Sequence, residues 1–220
     1  MLEAVSYLTI KNPHFFELTS KGSKFIAYSF HVTDKQQIDS RTSEIKNMHP
    51  KARHWCYAWK TGISNIQSKA FDDGEPAGSA GKPILNQIES FRLTQCLVIV
   101  VRYFGGTLLG LPGLVKAYKE SSWNCLDQSE KLEILIRNRF YYSSSFEKIQ
   151  SILSILKSID VPVCSFEFGE PSYIAFEIPI KDESLWFSKI NSKLEKKHIG
   201  LESKNYQIKD CVLIKNELII

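Results

Sequence analysis

The run CLVIVV, residues 96 to 101, is apolar at every position. A strand with one wet face alternates apolar and polar residues, so an unbroken run of this length must be buried on both faces. The chain therefore needs a sheet with material packed on either side of it. Glycine-rich segments flank the strand's neighbourhood: FDDGEPAGSAGKP at 71 to 83 before it, and RYFGGTLLGLPG at 102 to 113 after it. With 220 residues, 43% of them apolar, the chain has material for one large or two small domains. The texture changes near residue 130, where a helical run ending SWNCLDQ gives way to EILIRNRFYYSS, and this predicts domains at 1–130 and 131–220.

In the first domain SKFIAYSFHV reads as a strand. TDKQQIDSRTSEIKNM reads as a helix capped by Thr33 or Asp34, with Ile38 and Ile45 on its buried side. In RHWCYAW the alternation puts Trp55, Tyr57 and Trp59 on one face and His54, Cys56 and Ala58 on the other. PILNQIESF has helical spacing, with Pro83 in the first turn, and LVKAYKESSWNCL places Leu114, Val115, Tyr118, Cys125 and Leu126 on one stripe. The aromatic face of RHWCYAW reads as core in preference to a base-stacking platform.

The second domain reads as a strand over Glu133 to Tyr142, then the helix FEKIQSILSILKSI with Ile149, Ile152, Leu153 and Leu156 inward. Strands VPVCSFEF and SYIAFEIPI follow, joined by a GEP turn, then a helix ESLWFSKINSKLEKK and a last strand IKDCVLI. The order βαββαβ is that of a ferredoxin-like sandwich. Lys189, Lys193, Lys196 and Lys197 along the second helix read as a solvated face, with phosphate contact as the minority reading.

Composition excludes some classes. The apolar runs are far shorter than the roughly 20 residues of a membrane span, and MLEAVSYLTIKN lacks the pattern of a signal peptide, so a cytoplasmic protein without membrane contact is expected. Five scattered cysteines with no CxxC pair predict reduced, mostly buried thiols rather than disulfides or zinc. The net charge of +4 permits an anionic partner without demanding one.

Both glycine-rich segments lead into helices, whose free N–H groups and partial positive charge attract anions. Arg53, His54, Lys82, Arg102, Gly105 and Gly106 are the candidate nucleic-acid or anion contacts. Asp72, Asp73, Gly74, Glu75, Gly78, Ser79 and Gly81 are the candidates for organising the first loop. The competing reading makes the glycines plain turns and pairs Arg102 with Asp72, Asp73 or Glu75. Catalytic signatures fail on spacing. GTLLGLP has no GK[ST] ending, and AGSAG has Ala77 where a nucleophile elbow needs glycine. No catalytic residue, cofactor or metal is expected, and a loosely held Mg²⁺ at the acidic residues is a minority reading. His54 and Cys56 share a strand face but lack an orienting group.

DDGEPAGSAGKPIL, then a buried strand, then RYFGGTLLGLPGLVKAY, resembles the signature of the IMPACT/YigZ family, and the resemblance extends to KGSKFIA at 21–27 and KARHWCYAW at 51–59. It implies an α+β chain: an N-terminal ribosomal-protein-S5-domain-2-like α/β domain followed by a ferredoxin-like domain resembling the last domain of elongation factor G. It also points toward ribosome or RNA contact, and the preferred reading is a protein that binds RNA or the ribosome and modulates translation without catalysis; a partner protein in translation control is a further reading. Eukaryotic relatives carry a different accessory domain, so their partner does not carry over. Pro112 departs from the glycine common in the family and removes one N–H from the second loop. The alternative is an enzyme acting on a small phosphorylated or anionic ligand at the two loops.

Overall fold

The computed structural model describes residues 5–63, 65–195, 201–202, 207–208 and 211–219. The chain divides into two compact units, Met1–Ile134 and Leu135–Ile220. The division falls after residue 134 rather than near 130 because a short strand, β7 (Lys131–Leu135), pairs with the first strand, β1 (Ser6–Ile10).

The first unit is a five-stranded sheet of β2 (His14–Ser20), β3 (Ser23–His31), β4 (His54–Thr61), β5 (Gln67–Phe71) and β6 (Cys96–Tyr103) in the order β2-β3-β6-β4-β5. Every pairing is antiparallel. Helix α1 (Lys35–Met48) covers one face, where its Ile38 and Ile45 meet Ile26, Phe30, Leu97, Ile99 and Val101. Helices α2 (Gly81–Ser90) and α3 (Gly110–Gln128) cover the other, over Phe25, Ala27, Cys56, Ala58, Val98 and Val100. Central β6 thus lies between two cores, which is why its apolar run has no polar alternation.

Local chemistry explains the element ends. Asp34 caps α1 by accepting the Gln37 N–H at 2.8 Å, and the Gln37 side chain reaches back to the Thr33 N–H at 3.1 Å. Lys21 and Gly22 join β2 to β3 with φ of 45° and 79°, the two left-handed residues of a tight hairpin turn. A Cβ built on Gly105 would lie 1.9 Å from the Gly22 carbonyl carbon, so the hairpin turn and the loop after β6 touch backbone to backbone.

The second unit holds β8 (Arg137–Ser144), α4 (Phe146–Ser158), β9 (Val163–Glu167), β10 (Ser172–Pro179), a 3-10 turn at Ile180–Asp182 and α5 (Glu183–Glu195). The two-residue strands β11 (Leu201–Glu202) and β12 (Gln207–Ile208) pair with each other before β13 (Val212–Ile219). The sheet order β13-β8-β10-β9 is fourth, first, third, second, the antiparallel ferredoxin-like arrangement. Ile149, Ile152, Leu153 and Leu156 of α4 pack on Phe140, Tyr142 and Phe176 of the sheet. Lys189 lies over the Trp186 ring at 4.6 Å and Lys193 donates to Ser158 Oγ at 3.0 Å; Lys196 and Lys197 lie outside the described residues.

Three sequence expectations change. The strand expected over 133–142 is two strands, broken at buried Ile136, because β7 and β8 pair in different sheets. β1, β2 and β5 were not expected; they are short or half-exposed and carry little apolar periodicity. Val115 is 36% exposed, and the buried stripe of α3 runs instead through Leu114, Ala117, Tyr118, Ser121 and Ser122. Those serines can be buried because both hydroxyls donate back to the Tyr118 carbonyl, at 3.2 and 2.6 Å.

Ile99 is fully buried on the α1 face of β6, whereas Leu111 is exposed near the start of α3. Ile99→Ala is expected to lower unfolding stability by about 2–5 kcal/mol, and Leu111→Ala to change it by no more than about 0.5 kcal/mol. Urea titration of both variants checks the contrast.

Candidate functional site

The two glycine-rich loops meet at one end of the first unit's sheet. Strand register places Phe25, Arg102 and His54 abreast there, on neighbouring β3, β6 and β4. Alternation from Val98 and Val100 turns Arg102 toward the α2/α3 side, and alternation from Cys56 does the same for His54. The loop of residues 72–80 precedes α2, and residues 104–109 precede α3.

Arg102 is buried, not displayed. Its Nη1 donates to Glu75 Oε1 at 2.6 Å, with the two side chains only 7% and 4% exposed. The same oxygen accepts the Tyr118 hydroxyl at 2.8 Å. The Cys56 thiol lies 3.3 Å from that hydroxyl and 2.9 Å from the Asp72 carbonyl oxygen. The guanidinium sits between two rings, 5.6 Å from the centroid of Phe25 and 5.7 Å from that of Phe104. Its Nε is buried without a hydrogen-bond partner. Of the three acids weighed as ion-pair partners in the sequence, Glu75 is the one used.

The N-terminus of α2 is also filled from within. Asp72 accepts N–H bonds from Gly78 at 2.8 Å and from Ala80 and Gly81 at 2.9 Å each. The expectation that this helix start presents its N–H groups to an outside anion is corrected: the carboxylate of Asp72 already occupies the place a phosphate oxygen would take. Partial burial opposes ionisation of Asp72, but the N–H donors of Gly78, Gly81 and Ala80 outweigh it and hold the carboxyl below its ordinary 3.8. Asp73 turns the other way, accepting the Trp55 N–H at 2.8 Å while its carbonyl accepts from His54 Nδ1 at 2.9 Å. The three carboxylates thus serve three different partners rather than converging on one cation.

Ser79 is fully buried and donates to the Pro76 carbonyl at 2.6 Å, as suits a turn-closing serine. Burial pushes the Cys56 thiol and the Tyr118 phenol far above their ordinary values, so both are protonated at neutral pH. Gly74 carries φ of 86° in the turn before Glu75. Gly105 packs on Gly22, and its N–H points at Ser23 Oγ at 3.2 Å; Gly106 is exposed.

The outer surface differs from this interior. Arg53 and Lys82 are exposed, and neither has an ion-pair partner among the described residues. Lys21, in the turn that touches Gly105, is a third exposed cation; it lies in KGSKFIA, outside both glycine-rich segments. Phe104, Leu108 (82% exposed) and Leu111 project from the second loop and the start of α3. Their signal was visible as apolar residues among glycines. Trp55, Tyr57 and Trp59 are half-buried and pack against the α1-side core, as the alternation required.

Removing the Glu75 carboxylate strands a buried guanidinium. Glu75→Ala is expected to cost about 3–5 kcal/mol of unfolding stability, and the double change Arg102→Met with Glu75→Leu markedly less. Asp72→Ala removes the α2 cap and is expected to cost about 1–2 kcal/mol at neutral pH. Because the folded carboxyl titrates below 3.8, the stabilisation from Asp72 is present above that value and is lost as pH falls through the lower folded value. Denaturation of wild type and Asp72→Ala across pH 2–7 should therefore show a gap that closes only at the acid end.

Residues 21–126 match the family model described as Impact N-terminal domain. A Haemophilus influenzae IMPACT family member is 32% identical over 189 residues, covering 85% of this chain and 92% of the relative. The Escherichia coli IMPACT family member YigZ is 44% identical over 100 residues, 44% of this chain and 49% of the relative. A crystal structure of a hypothetical protein superposes with a TM-score of 0.71 at 26% identity, covering 97% of this chain and 100% of that one. With a full-length relative at that identity and the signature loops built as described, the chain belongs to the IMPACT family.

Proposed function

We propose that this protein is a cytoplasmic regulator of translation that binds RNA or the ribosome and performs no catalysis, using the rim around its two glycine-rich loops. The observation that carries the reading is the sorting of charge. Glu75 and Asp72 are consumed by bonds inside the loops, while Arg53, Lys82 and Lys21 face solvent without a carboxylate partner among the described residues. Exposed Phe104, in the loop after β6, offers a stacking surface for an unpaired base. Family membership supports a translation-related role through the resemblance described above. Enzymatic use of the loops finds no support in Cys56, Tyr118 or Ser79, whose polar atoms are spent on internal contacts.

A protein partner in translation control is the second reading, favoured by Leu108 and Leu111, whose exposed apolar side chains suit a protein surface better than a phosphate backbone. RNase treatment during affinity capture separates the two: an RNA-bound complex is lost, a protein complex persists.

Cosedimentation with ribosomes over a salt series is the direct test. Binding should weaken linearly in log salt, and Arg53→Ala and Lys82→Ala should each flatten the slope by about 1. Phe104→Ala should weaken binding by about 1–3 kcal/mol if a base stacks there. No cosedimentation at low salt would overturn the reading. Arg102→Ala is unsuited to the purpose, since that side chain holds the loops from inside.

A further inference from the structure

At the opposite end of the same sheet lies a groove of about 560 Å³ that the loops do not touch. Its walls include Tyr7 of β1, Lys60 of β4, Ile63 and Ile66 of the β4–β5 turn, and Arg92 and Leu93 of the link between α2 and β6. The walls are strapped together. Thr94 Oγ1 donates to the Gly62 carbonyl at 2.8 Å, Gly62 N–H reaches Gln95 Oε1 at 3.4 Å, and the Thr94 N–H donates to the Leu8 carbonyl at 3.0 Å. Arg92 and Gln95 are both left-handed, with φ of 54° and 51°, a conformation that bulky L-residues adopt at a cost.

Lys60 and Arg92 have no ion-pair or hydrogen-bond partner for their charged groups among the described residues, and the Tyr7 hydroxyl has none either. Glu133, the groove's acid, accepts from Ser6 Oγ at 2.6 Å. We infer that this groove is a binding site for a small organic phosphate monoester of mononucleotide size. Lys60 and Arg92, the two cations lining the groove, match a group carrying about −1.5 to −2 at pH 7. Tyr7 supplies a flat wall, and Ile63 and Ile66 an apolar one, for the body of the ligand. The volume falls within the roughly 300–1,000 Å³ of small-molecule sites.

The inference is independent of ribosome binding and uses different residues. Calorimetry and amide NMR on the full chain, with adenosine 5′-monophosphate as probe and adenosine and inorganic phosphate as controls, provide the test. One-to-one binding of the nucleotide with Kd at or below about 1 mM is expected, with shifts at Tyr7, Ile63 and Thr94. Phosphate alone should bind more weakly, and adenosine not measurably. Lys60→Gln and Arg92→Gly should each weaken the nucleotide about tenfold, glycine being chosen because it keeps the left-handed backbone without strain. Arg53→Ala with Lys82→Ala should leave nucleotide binding unchanged. The inference is overturned if the nucleotide does not bind at that concentration, if Lys60→Gln and Arg92→Gly leave its affinity intact, or if the shifts fall on residues 72–80 and 104–109.

Discussion

One carboxylate oxygen, Glu75 Oε1, organises the loop end of the first unit. It belongs to the loop before α2, receives Arg102 from the end of strand β6, and receives Tyr118 from the body of α3. Cys56 of β4 closes the group against Tyr118. A buried ion pair gains little net stability over an apolar pair of the same shape, because desolvating two charges offsets their attraction. What it does is restrict geometry: an unpaired guanidinium or carboxylate at this depth costs several kcal/mol, so alternative loop positions that separate Glu75 from Arg102 are penalised. Both loops are thereby held to one arrangement despite their glycine content.

That arrangement inverts the apparent chemistry of the segment FDDGEPAGSAGKP. In sequence it is acidic. In the folded protein Asp72 is turned onto three backbone N–H groups and Glu75 onto a guanidinium, leaving Lys82 as the segment's outward charge, while Asp73 spends one oxygen on β4. An acidic run thus builds a surface whose unpaired groups are basic, and the net charge of the stretch is a poor guide to the partner it attracts.

Much of the fold was legible in sequence because it follows from local rules. The apolar run of β6, the Asp34 cap of α1 and the inward stripe of α4 each depend on residues within a few positions of one another. The site was legible only in outline. Which acid would meet Arg102 depends on the β4–β6 register and on how far the first loop folds back, and neither is encoded in any short window. The capping role of Asp72 was hidden for the same reason: its donors lie six to nine positions downstream, beyond the spacing of an ordinary N-cap. The groove at the far end joins residues near 7, 60, 92 and 133, and no motif could have signalled it.

The two ends of the sheet are electrostatically separate. Along β4 the register runs from His54 opposite Arg102 to Lys60 opposite Cys96, and six steps of about 3.3 Å span roughly 20 Å. At physiological ionic strength screening acts over about 8 Å, so an anion held at one end contributes almost nothing to the potential at the other. Charge alone therefore cannot couple the loop rim to the far groove. Any coupling would have to pass through β4 and β6 themselves, by a shift in register or packing. Those strands lie between two close-packed cores, whose side chains oppose such a shift on both faces. The physics thus predicts that the two proposed sites, sharing a rigid sheet, fill independently, with ligand at the far groove leaving the affinity of the loop rim unaltered.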